Sequence, residues 1–78
     1  MKKKKPIEPV YRAIGARLRY IRETLGHSQH DVAKKIGLTR VSIVNVEAGR
    51  QRILLHDIEK IAEAFSMTPR QFMKGIWF

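Results

Sequence analysis

The stretch Ser28–Gly49, SQHDVAKKIGLTRVSIVNVEAG, holds two helix starts separated by a single glycine, and it constrains the chain more than any other feature. Ser28 is placed to cap a helix by accepting from a backbone N–H of the first turn. Asp31, three residues on, stands in for the Glu or Gln of a capping box and suits the positive end of the helix dipole. Ala33 and Ile36 follow at helical spacing, and Gly37 can take the positive φ that stops a helix. Thr39 opens a second helix that runs to about Ala48 and stops at Gly49. Two short helices joined by so brief a turn cross steeply. Ala33 is the small residue expected at the contact, with Ile43 and Val46 spaced to pack back onto it.

Within the second helix the local sequence argues against itself. VSIVNV is β-branched at four of six positions, which by propensity alone reads as strand. The bracketing Thr39 and Glu47-Ala48-Gly49 overrule it, because propensity is a weak prior that tertiary contacts override. At about 100° per residue, Arg40, Val41, Val44, Asn45 and Ala48 share one arc. Ser42, Ile43, Val46 and Glu47 take the other. The first arc is short of acid and points outward.

Gln29, Ala33, Gly37, Thr39, Ile43, Val46, Glu47 and Gly49 together resemble the helix-turn-helix of the phage lambda repressor and Cro (XRE-like) family. The resemblance implies an all-α, five-helix lambda-repressor-like DNA-binding domain over residues 10–78, with the helix-turn-helix at 28–49. It also implies a regulator that acts in the cytoplasm of a bacterium or phage host, nucleoid-associated when bound. Double-stranded DNA is then the partner, with helix 39–48 in the major groove.

Side-chain chemistry assigns the reading residues. Arg40 can donate two bonds to guanine O6 and N7, and Asn45 can pair with adenine or touch phosphate. Val41 and Val44 offer apolar surface to thymine methyls. Thr39 and Ser42 can bond phosphate as well as cap. Family members often carry glutamines where Arg40 and Val41 stand, so the target sequence differs here while the mode of reading does not. Gln29 resembles the family's backbone-gripping glutamine, and the free N–H groups beside it also suit a phosphate oxygen. Arg50, Gln51 and Arg52 resemble the loop that flanks the groove and grips phosphate. The family also pairs the arginine at the position of Arg22 with the glutamate at that of Glu47, giving Glu47 a structural role.

The charge is unevenly spread. Of a net +9, residues 1–52 hold thirteen Lys/Arg against four acids, and residues 53–78 hold three of each. Clustered positive charge binds polyanions. Residues 1–9 read as a flexible basic arm: the four lysines Lys2 to Lys5 repel one another, and Pro6 and Pro9 disfavour helix. Lys3, Lys4 and Lys5 are its candidate phosphate contacts, in the manner of a homeodomain arm. A solubilising tail is the alternative.

Helix one starts near Pro9 and ends before Gly26, on the stripe Val10, Ile14, Leu18, Ile21 and Leu25. A fourth helix runs from Leu54 or Leu55 to Phe65. Thr68-Pro69 opens a fifth, with Phe72, Met73 and Ile76 as its apolar side. The end, Ile76-Trp77-Phe78, either closes the core or forms part of a homodimer contact near helix five.

Composition excludes several classes. The chain contains no cysteine, so disulfides and thiolate zinc sites are ruled out. No apolar run approaches a membrane span, and the lysines lead into no signal-peptide core. His27, His30 and His56 are given no third ligand by spacing, and no nucleophile elbow, glycine-rich phosphate loop or carboxylate pair appears. No cofactor, metal site or catalytic residue is assigned, and the chain reads as no enzyme. At 78 residues, occupancy of an operator is expected to follow protein concentration rather than a built-in ligand sensor. Two rivals to a repressor stand beside it. One is an antitoxin-type regulator of the same family that also binds a protein partner, and the other is an RNA-binding or adaptor module.

Overall fold

The computed structural model describes residues 8–77, which form five helices and no strand. They are α1 (Pro9–Thr24), α2 (Gln29–Ile36), α3 (Arg40–Glu47), α4 (Leu55–Ala64) and α5 (Pro69–Met73). The all-helical, five-helix architecture expected from the sequence is therefore the one observed. Lys3, Lys4 and Lys5, with the rest of the arm up to Ile7, lie outside the described residues. Of the arm's last two residues, Glu8 caps α1 by position and Pro9 is its first helical residue.

Local chemistry sets most helix boundaries. Ser28 Oγ accepts from the Asp31 amide at 3.0 Å while Asp31 Oδ2 accepts from the Ser28 amide at 3.1 Å, a complete capping box. Gly37, at φ 73°, ends α2 in the left-handed conformation. Thr39 Oγ1 accepts from the Ser42 amide at 3.1 Å and starts α3. Thr68 and Gln71 form a second capping box ahead of Pro69. No glycine signals the end of α4, where Ser66 takes the positive φ of 56° instead.

Two sequence expectations change. Leu25 does not extend the apolar stripe of α1: the helix ends at Thr24, Gly26 reverses the chain, and Leu25 is left 53% exposed. Ile76 does not belong to α5, which stops at Met73 because Lys74 turns extended at ψ 129°. Ile76 packs against the core from the turn that follows. The end of α5 is moored by Arg17 of α1, which donates to the carbonyls of Phe72 (2.8 Å) and Lys74 (2.7 Å).

α3 sits at the centre, packed on α1 and α2, while α4 joins α2 to α5. Ile14, Leu18, Val32, Ile43, Val46, Ile61 and Phe72 are fully buried between them. Each buried side chain of this size contributes roughly 1.5–3 kcal/mol relative to exposure. Ile43 and Val46, two of the β-branched residues of α3, thus serve packing, which is how tertiary contact defeats the strand preference of the run. A close approach that the sequence did not signal is made at Gly15. A β-carbon at Gly15 would collide with the carbonyl of Val46, so only glycine lets α1 lie this near α3.

Candidate nucleic-acid interface

Packing divides α3 into two faces. Ile43 and Val46 are buried against α1 and α2, and this fixes where the remaining residues point. Arg40 and Ala48 are exposed, Val41 is 68% exposed, and Val44 and Asn45 are half-buried. The four residues assigned to base reading therefore share a flank that is exposed at Arg40 and Val41 and half-buried at Val44 and Asn45. Ser42 sits at its edge, half-buried, with its amide on Thr39.

A polar network holds α3 in place behind that flank. Arg22 Nε donates to Glu47 Oε2 at 2.7 Å, and Arg22 Nη2 donates to Glu47 Oε1 at 3.0 Å. The two side chains are 11% and 4% exposed. Arg22 Nη1 also donates to the His27 carbonyl at 2.9 Å, tying the end of α1 into the same cluster. The hydrogen bond to Glu47 raises the Arg22 pKa further, against the opposing effect of burial, so the guanidinium stays charged. Gln29 Nε2 completes the set by donating to Glu47 Oε1 at 3.2 Å. The first residue of α2 is thereby fastened to the last residue of α3. Gln29 keeps one amide hydrogen and its oxygen beyond this contact.

The loop after α3 is organised rather than loose. Gly49 takes φ 73°, its amide donates to the Val46 carbonyl at 3.0 Å, and the Arg50 amide donates to the Asn45 carbonyl at 2.9 Å. This is the Schellman closure of a helix end. Arg50 Nε then donates to Asn45 Oδ1 at 3.3 Å, and Gln51 Nε2 approaches Ser42 Oγ at 3.5 Å. Arg52 turns the other way. Its Nε and Nη2 bond the two Glu8 carboxylate oxygens, both at 3.0 Å, and the pair raises the Arg52 pKa. Arg50 and Gln51 are thus tied to Asn45 and Ser42 of α3, while Arg52 is partnered by the residue that starts α1.

Glu8, Gly15 and Arg17 were not singled out by sequence. Glu8 directly precedes the helix-starting Pro9, but nothing local couples it to Arg52, 44 positions away. A recess of about 570 Å³ lies apart from the reading flank, between the end of α2 and α4, and is lined by Lys34, Lys35, Lys60 and Glu63. No helix among the described residues is long and apolar enough to cross a membrane.

A family model described as helix-turn-helix matches residues 18–72. A search of curated proteins finds no match. Among solved structures, the restriction-modification controller protein C.AhdI from Aeromonas hydrophila is 35% identical. It covers 80% of this chain and 94% of its own, with a TM-score of 0.75. A hypothetical transcription factor from Neisseria, NHTF, is 28% identical over 92% of this chain and 83% of its own, with a TM-score of 0.76. The clp gene regulator ClgR from Corynebacterium glutamicum is 18% identical over 91% of this chain and 76% of its own. Its TM-score of 0.83 is a likeness of fold.

Proposed function

The chain belongs to the Cro/C1-type helix-turn-helix family of DNA-binding transcriptional regulators, and we propose that it recognises a specific duplex operator as a small cytoplasmic repressor. In this reading α3 lies in the major groove. Arg40 donates to guanine, Val41 and Val44 meet thymine methyls, and Asn45 contacts a base beside them. Gln29, Thr39, Ser42, Arg50 and Gln51 take phosphate oxygens, with Arg52 and the lysines of the arm at the margin. The observation that carries the reading is the divided surface of α3. Its buried half is held by packing and by the Arg22–Glu47 pair, and its free half carries no acid.

A homodimer on two-fold half-sites accompanies this proposal, since one small module buries limited DNA surface. Its support is an apolar recess of about 140 Å³ lined by Val10, Tyr11, Ile14, Ile53, Leu55, Ile58 and Trp77. Leu55 and Trp77, both in its lining, are more than half exposed. The contact then centres where α1, α4 and the chain end meet, near but not on α5.

Selection of bound sites from a random duplex pool tests the function. A single consensus with two-fold symmetry is the expected result. Equal recovery of all duplexes, or tighter binding to single-stranded RNA at the same salt, overturns it.

A further inference from the structure

Asn45 is held differently from a free reading residue. An unpaired carboxamide offers one acceptor and one donor side by side, the pattern that matches N6 and N7 of adenine. Here Oδ1 already accepts from Arg50 Nε at 3.3 Å. Arg50 reaches it because the left-handed Gly49 reverses the chain, and the Arg50 amide is bound to the Asn45 carbonyl at 2.9 Å. Residues 45 and 50 are therefore joined through main chain and side chain together. The acid nearest along the helix, Glu47, does not draw Arg50 away, because Arg22 and Gln29 occupy both its oxygens.

The geometry points to Arg50 as a positioning residue for Asn45, making the two a donor-rich unit that favours guanine over adenine in the duplex. With the Arg50 guanidinium against its oxygen, Asn45 keeps one lone pair, and the cation beside it disfavours the amino group of adenine there. The donors that remain are the Asn45 Nδ2–H groups and the guanidinium N–H groups of Arg50 that do not bond Asn45. Guanine N7 and O6 are two adjacent acceptors and meet that array. The inference rests on the proposed DNA reading and sharpens it, since Arg50 then sets a base preference in addition to any phosphate contact.

The test is selection from a random duplex pool with the full chain and three variants, Asn45→Ala, Arg50→Ala and Arg50→Lys. Thermal unfolding of each accompanies it. Asn45→Ala is expected to erase preference at one position of the consensus, where the wild type selects guanine. Arg50→Ala frees the carboxamide oxygen, so the guanine-to-adenine ratio at that position falls by about tenfold, the weight of one good paired contact. Arg50→Lys keeps a cationic donor and retains guanine. Adenine at that position in the wild type overturns the inference. So does an Arg50→Ala variant that binds all duplexes more weakly with unchanged preferences, or an Asn45→Ala variant that alters no position. A wild type that selects no consensus instead refutes the DNA reading itself, a distinguishable result.

Discussion

Gly15 of α1 lies directly against the Val46 carbonyl of α3, with no room between them for a side chain. The approach sets how deeply α3 seats in the molecule, and so how far its free flank stands out. Gly15→Ala places two effects in opposition. Alanine gains about 1 kcal/mol of helix propensity over glycine. The new methyl meets backbone, which cannot rotate aside, and overpacking of this kind costs about 3 kcal/mol. Net destabilisation by about 2 kcal/mol is expected in urea unfolding. A variant as stable as the wild type would show that α1 and α3 separate cheaply.

The Arg22–Glu47 pair predicts an asymmetric mutational cycle. Arg22→Met leaves a nearly buried carboxylate with Gln29 as its remaining partner, and a loss of about 3–5 kcal/mol is expected. Replacing both residues by methionine removes the charges together and costs less than either single change. Additive losses in chemical unfolding would mean the two side chains act independently.

Arg40→Ala separates reading from gripping. Operator binding is expected to weaken by about 1–3 kcal/mol with preference lost at one base pair, while random duplex is bound nearly as before. Titrations of both duplexes at fixed salt decide it, and equal losses on the two remove the base contact.

Acid should uncouple the capping box at the start of α2. The Ser28 amide and hydroxyl hold the Asp31 carboxyl below its ordinary value of 3.8. A depressed carboxylate pKa stabilises the fold above that value, and the stabilisation is lost as pH falls through the lowered one. Asp31→Asn is therefore less stable than the wild type at neutral pH, and the gap closes on acidification. Thermal melts across that range would refute this if the gap stayed constant.

The exposed apolar recess predicts an oligomer. Leu55→Glu places a charge among Val10, Ile53 and Trp77, and sedimentation equilibrium should then report a monomer with unchanged helix content. Dimers of undiminished affinity would locate the contact elsewhere.

The helix-turn-helix was legible because its signals are local. Ser28, Gly37, Thr39 and Gly49 each act within about one turn of their own positions, so cap and stop residues could be read without knowing the fold. The same locality explains the misreadings. Leu25 matches the period of α1, but Gly26 had already ended the helix. Ile76 matches the period of α5, although Lys74 is extended. Gly15 looks like a weak point in a helix until Val46, 31 positions on, is brought against it. Among the candidate contacts, the exposure of Arg40 and Val41 followed from the arc they share with Val44 and Asn45. The partners of Asn45 and Arg52 depended on how the chain turned after Gly49.

Arg17 carries a further consequence for how this protein meets a polyanion. It holds two carbonyls at the end of α5, Arg22 holds Glu47, and Arg52 holds Glu8. Arg17, Arg22 and Arg52 are thus among the described basic side chains that have internal anchors, and the Arg22 and Arg52 ion pairs are electrically closed. Ions condensed on a duplex are displaced only by cations that reach its phosphates. The steepness with which added salt dissociates the complex is accordingly set by the cations that reach phosphate, and is shallower than the formal charge implies.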